Sequence, residues 1–161
     1  MRVGPTLKKL QKTYGKNIRF VYKHFVVHPT RATLPAQAAC AAQRQRKFMK
    51  MYDAIFSMYG QYSQAQLDKH ARKIRLNMKK FHKDMTTHCK TRVQAERVEM
   101  AKFGTRGAPS FFINGRYLSG NRPFSHFKVL VDEVLAKAKR SRIRPSQYYK
   151  KVIMTLGKPS L

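Results

Sequence analysis

Apolar positions near the start of the chain recur at helical spacing. Leu7, Leu10 and Tyr14 share one face of PTLKKLQKTY. Pro5 stands in the first turn, where a missing N–H costs little, and Gly15 ends the run. The period then changes. Ile18, Phe20 and Tyr22 alternate with Arg19, Val21 and Lys23, which predicts a strand over residues 18–23. HFVVHP leads out to a turn at Pro29. From Ala32 to about Met58 the sequence is rich in alanine and methionine and reads as helix, with a break near Gln45 or Lys47. Ser63 and Gln66 have the spacing of a capping box, and Leu67, Ala71 and Ile74 follow as a buried stripe. Asn77 caps the next helix, with Met78, Phe81 and Met85 inside. A further helix runs from about Arg92 to Phe103 and stops at Gly104.

SFFIN then reads as a short strand, Asn114-Gly115 as a tight hairpin turn and RYLS as the returning strand. Pro123 opens the last long helix, in which Phe124, Phe127, Leu130, Val131, Val134 and Leu135 fall at helical spacing. The basic run KAKRSRIR leads to Pro145 and a final short helix around Gln147–Leu156. The order of helix, strand, several helices, hairpin and helix predicts an α/β domain with a helical insertion at about residues 32–104.

With 161 residues and 42% apolar side chains, the chain is long enough for one folded domain with a real core. No stretch approaches the roughly 18 apolar residues of a membrane span. The start lacks the apolar core and cleavage site of a secretory signal. Those features predict a soluble chain that is not exported. Charge changes the picture further: 35 Lys and Arg face 7 acids, a net of +28. The first acid is Asp53, and after Glu133 the chain is again purely basic. Self-repulsion on that scale points to a polyanionic partner, nucleic acid first. A membrane surface is set aside, because no stretch joins a strong apolar face to that charge.

Three basic clusters are the candidate RNA contacts. The first is Lys8, Lys9 and Lys12, and the second is Arg44, Arg46, Lys47 and Lys50. The third is Lys139, Arg140, Arg142 and Arg144, continuing to Lys150 and Lys151. Tyr148 and Tyr149 lie in the third cluster, where they either stack on exposed bases or pack the final helix. No base-reading motif is present, so recognition of backbone and shape is expected. Cys40 and Cys89 have the spacing of neither a metal site nor a dithiol motif and read as small buried hydrophobes on helices. His82, His88 and Cys89 are too poorly spaced on a helix to share a metal, so neither a metal nor a cofactor is expected.

Four stretches taken together resemble the DsbA-type disulfide oxidoreductases of the thioredoxin-fold superfamily. RVGPTLKKLQKTYGKNIRFVYKHF is similar to the family's first helix and second strand, and HPTRATLPAQAACAAQRQRKFMKMYDAIF to the start of its helical insertion. GTRGAPSFFINGRYLSG is similar to its Gly-x-Pro loop and closing hairpin, and PFSHFKVLVDEVL to its last helix. The resemblance implies that Pro109, after Ala108, is the family's cis-proline. It implies a thioredoxin-like domain over residues 1–140 and leaves 141–161 as a basic C-terminal extension with a short helix. In such enzymes the Cys-Pro-x-Cys motif stands just before the residues matching Met1 and Arg2, and the first strand before that. Both are missing here, so the resemblance implies a sheet without its first strand. A strand from another chain, a different closure of the sheet, or an earlier true start would each resolve that.

Two functions follow as expectations. The first is a non-catalytic, structural rRNA-binding component of a ribosome in the mitochondrial matrix, among neighbouring ribosomal proteins, with Ala108 and Pro109 kept as a structural joint. The alternative is a thiol–disulfide oxidoreductase whose Cys-x-x-Cys segment is absent from the chain. Charge favours the first, since each neutralised phosphate releases counterions.

Overall fold

The computed structural model describes residues 3–58, 60 and 62–153. The chain divides into two compact units, one from Lys23–Ala101 and the other from Met1–Tyr22 with Lys102–Leu161.

The Lys23–Ala101 unit is all helical. Helix α2 (Pro29–Arg44) begins three residues earlier than its pattern predicts, with Pro29 at the first helical position. Ala38, Ala39, Cys40, Ala41 and Ala42 are all buried, so α2 is enclosed rather than one-sided. Small side chains let it pack closely on α3 (Phe48–Ser57) and α5 (Met78–Thr86). The break between α2 and α3 lies where expected, and Arg46 makes it by adopting a left-handed conformation, φ 60°. Helix α4 (Gln64–Lys73) opens with the capping box, in which the Gln66 N–H donates to Ser63 Oγ and the Ser63 N–H donates to Gln66 Oε1. Asn77 caps α5 through the Lys80 N–H. Met51, Leu67, Ala71 and Phe81 are fully out of solvent, and they share one apolar cluster with Ile55, Met85 and Val93.

The cysteines correct their reading from sequence. They are buried on helices, but they are bonded to each other: Cys40 and Cys89 form a disulfide with their Cα atoms 5.7 Å apart. It links α2 to α6 (His88–Lys102), which starts four residues before its predicted Arg92 and so carries Cys89 in its first turn. The bond spans 49 residues of chain, a loop whose closure stabilises by about 4 kcal/mol in the chain-entropy account.

In the other unit, α1 (Gly4–Tyr14) ends at Gly15, φ 51°, and a short 3-10 turn (Gly15–Asn17) follows. Residues 18–26 are neither helix nor strand, which corrects the strand predicted over 18–23. Ile18 and Phe20 do pack against the apolar cluster of this unit, while Val21 is 57% exposed. The alternation thus survives as burial at Ile18 and Phe20 but not at Tyr22, which is 39% exposed. A strand also needs a neighbouring backbone to complete a ladder, and the described residues supply none here.

Strands β1 (Ser110–Ile113) and β2 (Arg116–Ser119) form an antiparallel hairpin, with Phe111 opposite Leu118 and Ile113 opposite Arg116. Asn114 and Gly115 both take positive φ, 47° and 88°, as a two-residue turn of matching twist requires. Among the described residues this is the whole sheet, so the protein is mostly helical with a small two-stranded sheet rather than a full α/β sheet. Helix α7 (Phe124–Arg140) packs on α1 and β1 through Phe127 and Val131. Phe111 meets Phe127 edge to face, ring centres 4.8 Å apart. Pro123 lies just outside α7 as its cap rather than inside it. The predicted last helix begins two residues earlier: α8 (Pro145–Tyr148) passes into one π-helical turn, Tyr149–Ile153. Residues 154–156 of that prediction lie outside the described residues.

Candidate functional site

The site begins where α6 gives way to the hairpin. Gly104 turns the chain with φ 74°, and the Ala108–Pro109 peptide bond is cis. The loop is held locally. Ser110 Oγ donates to the Gly107 carbonyl at 2.6 Å and lies 3.1 Å from the Tyr117 hydroxyl, and the Gly120 N–H donates to the Pro109 carbonyl at 2.9 Å. Hydrogen bonding to Ser110 holds the Tyr117 phenol below its ordinary pKa. On the same face, Phe112 meets Phe103 edge-on and Tyr117 at a tilt, with ring centres 6.1 and 5.2 Å apart.

The hairpin register decides what the loop presents. Pro109 pairs with Gly120 through a backbone bond, so the next residues on β1 alternate. Phe111 and Ile113 direct their backbone groups toward β2, while Ser110 and Phe112 direct theirs away from it. That outer edge follows the cis-proline directly and pairs with no other strand among the described residues. Thr105 lies just upstream, and its buried hydroxyl finds no partner among the described residues. An unpaired buried hydroxyl costs about 1–3 kcal/mol.

Sequence reasoning found Ala108 and Pro109 but missed Ser110, Tyr117 and Thr105. The first two were accessible from the pattern: a two-residue turn at Asn114-Gly115 fixes the register that puts residues 110, 112, 117 and 119 on one face. Thr105 left no such trace.

Below the hairpin, Tyr14 at the end of α1 donates to Asp132 on α7 at 2.6 Å. Burial first, and then the Asp132 carboxylate, push the Tyr14 phenol up to about 12. The Asp132 carboxyl sits below its usual range because Lys128 and then Tyr14 bond to its ionised form. This pair ties α1 to α7.

In the helical unit, Glu96 is only 5% exposed. It accepts from the His24 backbone N–H at 2.7 Å and from Arg92 at 3.0 Å, which pins residues entering that unit to α6. Burial pushes the His24 imidazole below its ordinary pKa, against the pull of Glu96.

The basic candidates are mostly exposed. Lys8, Lys9 and Lys12 lie on α1, and residues 139–151 lie on the last turn of α7 and beyond, in the same unit. Arg44, Arg46, Lys47 and Lys50 belong to the helical unit. Several have work inside the fold. Arg44 pairs with Asp84 at 2.9 Å, and Lys47 donates to the Ile74 and Arg75 carbonyls at 2.8 and 2.6 Å, closing the end of α4. The Lys9 ammonium sits 4.5 Å from the centre of the Phe124 ring, and Tyr149 takes the Arg19 guanidinium at 5.7 Å. Among the described residues no group of three or more His, Cys, Asp or Glu converges as metal ligands.

Comparison with known proteins agrees with this architecture. The sequence model of a family described as "Thioredoxin" matches residues 2–133. Among curated proteins, the chain is 30% identical over 145 residues to the Na(+)/H(+) antiporter NhaA 1 of Salinispora arenicola, covering 88% of this chain and 22% of that protein. It is 28% identical over 145 residues to the Na(+)/H(+) antiporter NhaA 3 of Salinispora tropica, with the same coverage of both chains. To the Na(+)/H(+) antiporter NhaA of Herminiimonas arsenicoxydans it is 26% identical over 113 residues, 70% of this chain and 18% of that one. The chain therefore spans about a fifth of the length of these relatives. No solved structure matches it significantly.

Proposed function

Because the chain belongs to the thioredoxin family over residues 2–133, we propose that it is the substrate-holding part of a DsbA-type thiol–disulfide oxidoreductase. The carrying observation is the family match over residues 2–133, which includes the loop of residues 104–109 that closes on the hairpin through the Gly120 N–H and the Pro109 carbonyl. An extended peptide would pair with the backbone of that loop, ahead of Pro109, through its own N–H and C=O groups, while the outward edge of Ser110 and Phe112 is left to the first strand that the resemblance implies. The chemistry itself needs a thiolate, and the only cysteines here, Cys40 and Cys89, are bonded to each other and buried. The reading therefore requires a Cys-x-x-Cys pair from outside these residues. The antiporters share only the region that matches this chain, and the proposal takes nothing from the transport activity in their names. Among the described residues no helix is long and apolar enough to cross a membrane.

The net charge of +28 supports a second reading, a structural rRNA-binding part of a mitochondrial ribosome. Intact mass and sedimentation of the protein recovered from its native source separate the two. A chain carrying Cys-x-x-Cys, active in reducing a model disulfide and impaired by Pro109→Ala, supports the oxidoreductase. A chain without the motif, on a particle that RNase disperses, overturns it in favour of the scaffold.

A further inference from the structure

The disulfide between α2 and α6 is used by neither reading. Cys40 is 3% exposed and Cys89 0%, and both belong to the apolar cluster of the helical unit. Between them the chain makes α3, α4 and α5, so the bond closes a loop around most of that unit's core. Two features of Cys89 oppose each other. Its place in the first turn of α6, at the positive end of the helix, favours exchange. Its complete burial keeps any attacking thiolate from the sulfur. Exchange needs in-line access to sulfur, so burial decides.

We infer that Cys40–Cys89 is a closed structural disulfide that makes the stability of the helical unit depend on oxidation. It forms when two thiols of the chain give up two electrons and two protons to a disulfide-bonded oxidant, which leaves as a dithiol. A dithiol reductant reverses the step only on the opened unit. This assigns the folded chain to a compartment in which disulfides persist, and it runs against the mitochondrial matrix expected with the scaffold reading. It is compatible with the oxidoreductase reading and counts against the scaffold reading.

The test uses the whole 161-residue chain, oxidised. Thiol alkylation followed by intact mass is expected to add no label to the native protein, even after brief exposure to millimolar dithiothreitol. Two labels are expected once the chain is reduced in denaturant. The reduced chain, and the Cys40→Ala/Cys89→Ala double variant, are expected to melt at least about 10 °C lower. Amide protection is then lost first between residues 29 and 101, and kept in α7. Two labels on the untreated native chain would overturn the proposal. So would rapid reduction without denaturant, or melting of the reduced chain within about 2 °C of the oxidised one. The labelling result stands even if the double variant does not fold.

Discussion

In residues 23–101 a single apolar cluster runs through all five helices, three of which sit inside a disulfide-closed loop. In the unit that holds the cis-proline, the buried apolar cluster among the described residues is much smaller: Val3, Leu10, Tyr14, Phe127 and Val131. Around it Ile18, Phe20, Phe111, Ile113 and Leu118 are only half-buried. The helical unit satisfies its backbone locally, since each helix bonds to itself. The hairpin unit cannot, because strand backbone needs a neighbour. The first is a closed core, and the second has an open edge at Ser110 and Phe112, which is complete only when a further backbone adds to it.

The comparison breaks most directly in the larger core. Phe81→Ala removes a fully buried ring on α5 and is expected to cost about 3–5 kcal/mol. Chemical denaturation followed by circular dichroism measures it. Amide exchange should place the loss in α2–α6, and equal loss in α1 and α7 would show that the units do not stand independently. A smaller effect is expected in the hairpin. Gly115 turns with φ 88°, so Gly115→Ala is expected to cost about 1–2 kcal/mol and to loosen β1 and β2 without touching α4 or α5. Nuclear magnetic resonance shifts of Phe111 and Leu118 report it.

A third effect is a slope. Tyr14 is raised from 10.0 to about 12, so between those values the unfolded chain gives up its proton more readily than the folded one. Stability is full below pH 10 and falls as pH rises toward 12. Tyr14→Phe should flatten that decline, and melting curves across the range test it. An unchanged slope in the variant would assign the decline to other groups.

Much of this was readable beforehand, for local reasons. Ser63 with Gln66, and Asn77, marked helix starts because capping is decided within four residues. Asn114-Gly115 marked its turn because few residues accept positive φ. The family resemblance located Pro109, and the hairpin register extends it to Ser110 and Tyr117. The basic clusters were equally plain, but exposure alone does not say which cations bind something. Arg44 and Lys47 are engaged with Asp84 and the end of α4.

What the sequence determined by itself was the helices, their caps, the hairpin turn and the excess of positive charge, each set by neighbours a few residues apart. Tertiary structure alone decided three things. It brought Cys40 onto Cys89 across 49 residues, which no local pattern encodes. It paired Tyr14 with Asp132 and the His24 backbone with Glu96. And it left residues 18–23 outside any sheet, because a strand is a property of two backbones and the alternation of Ile18 and Phe20 describes only one.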